Sequence, residues 1–537
     1  MTKRFYLLGS LILWSVAMLP QTKETLLLRH PDISKSHITF VYAGDIWIAD
    51  KSGTNPRKLT SNPAVELHPK FSPDGKTIGF TGNYDGNTDV YTVGLHGGNP
   101  ERITYHPASD MMRGWLDNET VYFTSARDFE YSLGSRLHQK NINNAQAEVL
   151  TMPEAYQGSP SPDGKKWAYI KNGDPSERQR VAFKRYRGGG MPTIWIFDEK
   201  THEIEIIPGE ESNNVQPLWR GDYVYFLSDR NKVMNLFRYN TITKITEQVS
   251  FFEDFDIKTF SGNDKELILE QGGTLHLYDI ASKQITPISI YLDSDVIDTR
   301  AHYVDVKDHI RDYEVSPTGV RALFQSRGEI FSVPLDKGTI RNLSNTPGAH
   351  NKYPAWSPNG KWISYISDQN DTYQLVLRDQ KAKDDPIFID IGDTHFFFEP
   401  TWSPDSKKLF YSDSHLNLFY VDIDTKKVVK VDTDAMSTNT GRVNNQFQPS
   451  WSPDSNWIAY IKTLPNFVPA VFIYNLKTGA TKQITDGMSH TQSPTFSADG
   501  KYLFFTASTN IGLSYHGLQK HPHLTHGDVR TFSLKLF

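Results

Sequence analysis

Pro69-Lys70-Phe71-Ser72-Pro73-Asp74-Gly75 states a phrase that this chain repeats: Pro-x-aromatic-Ser-Pro-(Asp/Asn)-(Gly/Ser). It returns at Pro354-Ala355-Trp356-Ser357-Pro358-Asn359-Gly360, at Pro400-Thr401-Trp402-Ser403-Pro404-Asp405-Ser406 and at Pro449-Ser450-Trp451-Ser452-Pro453-Asp454-Ser455. Pro494-Thr495-Phe496-Ser497-Ala498-Asp499-Gly500 carries Ala in place of the second Pro. Partial copies stand at Ser161-Pro162-Asp163-Gly164, Pro217-Leu218-Trp219 and Ser316-Pro317-Thr318-Gly319. Ser-Pro-Asp-Gly has the preferences of a type I turn: a hydroxyl that caps, a preset φ, then Asp and Gly. Apolar residues alternate after it (Ile78 and Phe80; Leu409 and Tyr411; Ile458 and Tyr460; Leu503 and Phe505), which is the period of a half-buried strand. The phrase is therefore the elbow of a β-hairpin with an aromatic wedge at its root.

A second phrase follows each elbow: a short apolar strand, a polar turn, and a strand ending near Ile-Thr. Asp45-Ile46-Trp47-Ile48 to Leu59-Thr60, Asp89-Val90-Tyr91 to Ile103-Thr104, and Val471-Phe472-Ile473 to Ile484-Thr485 are examples. Two hairpins per unit make a four-stranded blade. With Trp115 and Trp219 as elbows of degenerate units, one step is about 47 residues, a blade-sized period. Ten complete units are expected, with an eleventh begun at Pro494.

A chain of 537 residues is too long for one small core. The net charge of -5 is mild and no basic patch calls for nucleic acid. There is no cysteine, which excludes disulfides and Cys-based catalysis or zinc sites. Lys3 and Arg4 ahead of the apolar run Phe5 to Val16, with small residues at Ser15-Val16-Ala17, read as a signal peptide over residues 1–20. An uncleaved anchor is the competing reading. No later apolar run is long enough to span a bilayer. The expectation is an exported protein, periplasmic or secreted, with no membrane attachment once the signal is cleaved.

Ten blades exceed one ring, since propellers close with four to eight. The expected fold class is all-β: a six-bladed propeller over 30–290, a linker over 291–309 marked by Asp293, Asp295, Asp298 and Asp305, then a second propeller over 310–537 that stops in its fifth blade. A ring with a gap exposes strand edges that favour partners.

Several strings narrow the resemblance. Gly44-Asp45-Ile46-Trp47 follows Ile38-Thr39-Phe40, and Arg113-Gly114-Trp115 comes later. Lys184-Arg185-Tyr186-Arg187-Gly188-Gly189-Gly190 precedes Ile194-Trp195-Ile196-Phe197-Asp198, and Tyr502 to Ser514 follows the last elbow. Together they resemble the N-terminal half of the tricorn protease family, over about Ile33 to Ser514. The elbow phrase is less specific, because TolB-like propellers use it too. The resemblance implies a six-bladed and a seven-bladed propeller followed by helical, PDZ and serine-peptidase parts. It also implies that the propellers bind, gate or channel oligopeptides toward a C-terminal core. It places the family's catalytic Ser, His and acid beyond Phe537, so no catalytic residue is assigned here.

The residues themselves offer few other sites. No Gly-x-Ser-x-Gly elbow occurs, and the serines cluster at turns. His516, His521, His523 and His526 have a spacing that binds zinc or nickel, but no carboxylate scaffold accompanies them. Asp85-Gly86-Asn87-Thr88-Asp89 alternates oxygen ligands as calcium loops do, yet lacks the later Glu and falls at a required turn. Neither is taken as a metal site, and no cofactor is expected. Lys184, Arg185 and Arg187, beside Gly188 to Gly190, form a basic segment suited to peptide carboxylates; a solvated loop is the plain alternative. The expected partners are oligopeptides or peptidase domains, with homo-oligomerisation open. A stand-alone TolB-like periplasmic scaffold that binds another protein is the alternative function.

Overall fold

The computed structural model describes residues 23–129, 134–144, 146–171, 173, 185–188, 190–209, 211–292, 305–392, 397–436, 447–508 and 529–535. Residues 1–20, expected to be a signal peptide, Lys184 and the four C-terminal histidines lie outside them. Among the described residues the only helix is the 3-10 turn Lys307–His309, and no helix is long and apolar enough to cross a membrane.

Each elbow folds as its residues dictate. Gly75 N–H donates to Ser72 O at 2.8 Å, closing the turn. Thr77 N–H donates to Ser72 Oγ at 3.1 Å, and that hydroxyl donates to Asp74 at 2.7 Å. The same closing bond recurs from Gly360 to Ser357, Ser406 to Ser403, Ser455 to Ser452 and Gly500 to Ser497. The fourth position is left-handed throughout, with φ of 72° at Gly75 and 70° at Gly360, but also 59° at Ser406 and 57° at Ser455. That conformation explains the glycine preference.

The first Pro of the phrase marks a bulge. The residues before it, His30, His68, Gln216, Tyr353, Gln448 and Ser493, all have φ between 43° and 57°. Pairing skips a step there in the first strands of their sheets, between Arg29 and Asp32, Leu67 and Lys70, Val215 and Leu218, Lys352 and Ala355, and Gln492 and Thr495. Proline has no N–H to lose at the unpaired position, which suits it to a bulge.

The Ile-Thr phrase has an equally specific role. Thr60, Thr104, Ser250, Ser344 and Thr485 each accept, through the hydroxyl, the N–H of a third-strand residue fourteen positions earlier. These bonds, of 2.8–3.0 Å, tie the short outer strand to its neighbour in both halves of the molecule.

The described strands form ten four-stranded antiparallel sheets and one three-stranded sheet, each a simple meander. Blades 1 to 6 occupy 29–58, 67–102, 110–149, 157–206, 214–248 and 257–288; blades 7 to 10 occupy 310–342, 352–389, 397–433 and 450–483; sheet 11 occupies 491–535. Blades 1 to 6 close into a ring without exchanging a strand. Leu28, Ile33, Ile38, Phe40, Trp47 and Ala49 of the first blade and its approach share one buried cluster with Ile268, Leu275, Ile288 and Ile290 of the last. Arg29 pairs with Glu270 at 2.6 Å, Lys51 with Glu266 at 2.5 Å, and Thr25 N–H donates to Ile290 O. Asp32 accepts from Phe71 N–H of blade 2 and from Ser261 Oγ of blade 6, so one buried carboxylate joins three blades.

Blades 7 to 11 pack in succession through further clusters. The outward face of blade 7 is not covered: Tyr313 is 75% and Val315 61% exposed.

Candidate functional site

The first strands of blades 1 to 6 surround a channel of about 770 Å³. The bulge geometry brings His68, Arg113 and Gln216 to its wall, and the position two before the elbow serine supplies Asp32 and Lys70. Lys35, Lys51 and Lys265 line it together with Asp264, Glu266 and Asp279.

Lys70, Arg113, Arg220 and Asp32 also line the channel. Lys70 Nζ donates to Ser261 Oγ at 2.9 Å, and Arg113 Nε to Thr124 Oγ1 at 2.8 Å. Arg220 donates to two main-chain carbonyls, Trp219 O at 2.7 Å and Gly262 O at 2.6 Å. Its nearest carboxylate, Asp264, lies 3.9 Å away and is 89% exposed, whereas the Arg220 side chain is 26% exposed. Burial holds the Arg220 pKa below the usual guanidinium value, although Tyr122, Asp264 and Asp32 pull it back. Tyr122, on the same wall, has its pKa pushed up to about 12, chiefly by burial and against the pull of Arg220 and Arg113. Its phenol therefore stays an O–H donor at neutral pH.

The basic string lies elsewhere. Arg185 is buried with φ of 60° and donates to Lys232 O at 2.7 Å. Arg187 pairs with buried Asp229 at 2.9 Å. Between them Tyr186 is fully buried in a cluster of blades 9 and 10 that includes Phe410, Leu416, Val431, Trp451 and Tyr460. Its carbonyl accepts from Asn213 Nδ2 of the first ring at 3.1 Å. The string thus straps blade 4 and blade 5 to the second series, and its two described arginines contact other parts of the chain.

The Asp85–Asp89 segment is a turn whose carboxylates serve Arg102: Asp89 meets it at 2.6 Å and Asp85 at 3.3 Å. Among the described residues no group of three or more His, Cys, Asp or Glu is placed to hold a metal ion. Sequence reasoning missed Lys70, Arg113, Tyr122 and Arg220. A signal existed for Lys70, which is the x of the Pro-x-aromatic phrase, the position that faces the channel.

This architecture defines the molecule as a tandem propeller protein, with a closed first ring and a second series of blades. Residues 25–284 match the model for the tricorn protease N-terminal beta propeller domain, and residues 310–512 the tricorn protease second beta propeller domain. The chain belongs to the tricorn protease family. Among curated relatives it is 23% identical to a tricorn protease homolog of Saccharolobus solfataricus, covering 90% of this chain and 43% of that protein. It is 22% identical to tricorn protease homolog 1 of Streptomyces coelicolor, covering 91% and 45%. Among solved structures it is similar to the crystal structure of the tricorn protease, with a TM-score of 0.45, 18% identity, and 90% and 46% coverage. The chain spans less than half the length of these proteins.

Proposed function

We propose that this chain is the peptide-handling part of a tricorn-like serine peptidase: it binds unfolded oligopeptides and gates or channels them toward a peptidase core. The observation that carries the reading is the closed first ring around a cavity of about 770 Å³, lined by charged, polar and apolar side chains of its first strands. Membership of the tricorn family supports it. Bond cleavage belongs, on this reading, to a peptidase part that the propellers serve, and the expected partners are oligopeptides and that part. We place the peptide contact on the channel wall rather than at Arg185 and Arg187. Export to the periplasm or medium belongs to the same proposal, and N-terminal sequencing of the mature protein checks it.

The test is fluorescence anisotropy of the full chain with labelled, mixed-sequence unstructured peptides. Binding is expected, and Thr259→Trp, at a half-buried channel position, is expected to abolish it. Affinity unchanged by that substitution would remove the channel from the mechanism.

A further inference from the structure

We propose that Tyr186 is a pin between the two halves of the molecule: its ring, sent out from blade 4, sits in an apolar socket of blades 9 and 10 and holds the first ring in one orientation against the second series. The inference is independent of what the channel takes.

Three features carry it. The first is where the residue comes from. Residues 171–193 separate the second and third strands of blade 4, Lys166–Ile170 and Ile194–Asp198, whereas Ala43-Gly44 and Gly272-Gly273 close the same hairpin in blades 1 and 6. A hairpin needs only a few residues to turn, so a connection of this length serves something other than closing its own sheet. The second is the socket. Leu416, Phe447, Trp451 and Tyr460 are among the residues whose cluster buries the Tyr186 ring, and Met191 packs alongside. Burial pushes the Tyr186 pKa up to about 12, so the phenol stays neutral there, and its oxygen accepts Gly190 N–H at 3.3 Å. Among the described residues every other buried apolar cluster stays within one half.

The third is the footing. A ring carried on a free loop buries apolar area without fixing an angle, but this one is fastened on both sides to blade 5. Arg187 pairs with Asp229 Oδ2 at 2.9 Å and donates to Asp229 O at 3.2 Å. Asn213 Nδ2 donates to the same carboxylate at 2.7 Å and to Tyr186 O at 3.1 Å, and Asn213 N–H adds a bond of 2.8 Å to Asp229 Oδ1. Asp229 is buried, so these charge-assisted bonds are little screened. Before the tyrosine, Arg185 Nε donates to Lys232 O at 2.7 Å. Arg185 is left-handed, with φ of 60°, a conformation that a residue with a side chain keeps where its surroundings hold it. A change of angle between the halves must then draw the ring from its socket or break the bonds at Asp229.

The chain has no cysteine, so Thr243→Cys in blade 5 and Lys482→Cys in blade 10, both exposed, take a pair of spin labels at two defined places. Pulsed electron–electron double resonance on the full chain reads the distance between them. The parent is expected to give one narrow distribution, and Tyr186→Ala to widen it about twofold or more. Tyr186→Phe, which keeps the ring and loses the hydroxyl, is expected to leave it narrow. Arg187→Gln is expected to widen it less than Tyr186→Ala does, since the ring stays in its socket. A broad distribution in the parent overturns the inference, as does a Phe variant as broad as the Ala variant. An unchanged width in Tyr186→Ala beside a lowered melting temperature makes Tyr186 a core residue of blades 9 and 10 alone, and overturns it too. Should Tyr186→Ala fail to fold by circular dichroism, Arg187→Gln must widen the distribution by itself, and a width equal to the parent's is again fatal to the pin.

Discussion

Blade 1 and blade 7 open the two halves of the molecule with the same device and meet different surroundings. Ile33 and Val315 hold the same register, directly before the elbow serines Ser34 and Ser316, and pair with Ile38 and Ala322 on the next strand. Asp32 and Glu314, one position earlier, accept the N–H of the next blade's aromatic, Phe71 and Trp356 respectively. Yet Ile33 is 4% exposed, under the apolar face of blade 6, while Val315 is 61% exposed. The blade sequence specifies its own sheet and its attachment to the following blade. Whether the opposite face is buried depends on what is brought to it. An uncovered apolar blade face of this kind favours association with another sheet.

The widest test of that comparison is a pair of truncations. Ile33→Ala is expected to cost about 3 kcal/mol, the usual range for deleting a buried branched side chain, and to lower the first ring's melting transition. Val315→Ala, at the same register but in water, is expected to cost under about 0.5 kcal/mol. Scanning calorimetry of the two variants beside the parent decides it. Equal losses would mean that the blade 7 face is covered in solution.

A second contrast lies one bulge upstream. Where blades 2 and 5 place Leu67 and Val215 at the start of the first strand, blade 8 places Lys352. This lysine is buried, with its ammonium 4.3 Å from the centre of the Tyr373 ring and Asp368 and Asp312 nearby. Burial lowers its pKa to about 8, against the partial support of the two carboxylates. The unfolded chain binds this proton more tightly than the folded one, so stability rises with pH between about 8 and 10.5 and the penalty is full below that window. Lys352→Met is therefore expected to stabilise the second series by about 2–3 kcal/mol at neutral pH. The gain should fade as pH climbs toward the unfolded value. Urea midpoints measured across that range check it, and a gain that does not change with pH would show that the lysine's charge is not the cause.

The repeat and the all-β class were legible because the elbow phrase states its own physics. Pro, Asp and Gly each satisfy a distinct turn position, and the alternation after it has the strand's period. Three things were not legible. The left-handed residue before the first Pro carries no residue preference: His, Gln, Tyr and Ser all serve, because the proline and the lost pairing define the site. The cavity-lining cations were hidden because Lys70, Arg113 and Arg220 are separated in sequence by more than forty residues at each step, and only ring closure brings them to one cavity. The string around Tyr186 read as a loop of charge. Its aromatic, rather than its arginines, reaches the second series, and nothing local in Arg-Tyr-Arg announces a distant apolar pocket.

The smallest expected effect concerns the elbows of the second series, where serine replaces glycine. At Ser406 and Ser455 the left-handed backbone strains a residue with a side chain, whereas Gly75 and Gly360 adopt it freely. The hydroxyls offset this by crossing between blades: Ser406 Oγ accepts from Asn359 N–H at 3.0 Å, and Ser455 Oγ from Asp405 N–H at 3.1 Å. In the first ring a different residue of the next blade makes the same link, Asp74 N–H donating to Asn118 Oδ1 at 2.9 Å. Ser406→Gly removes strain and bond together and is expected to leave stability within about 0.5 kcal/mol of the parent. Ser406→Ala keeps the strain, loses the bond, and is expected to cost about 1 kcal/mol. The difference between the two variants, read from urea midpoints, measures the inter-blade bond against the backbone. If Ala and Gly proved equivalent, the hydroxyl would contribute nothing and the serine would be a tolerated substitution rather than a link between blades.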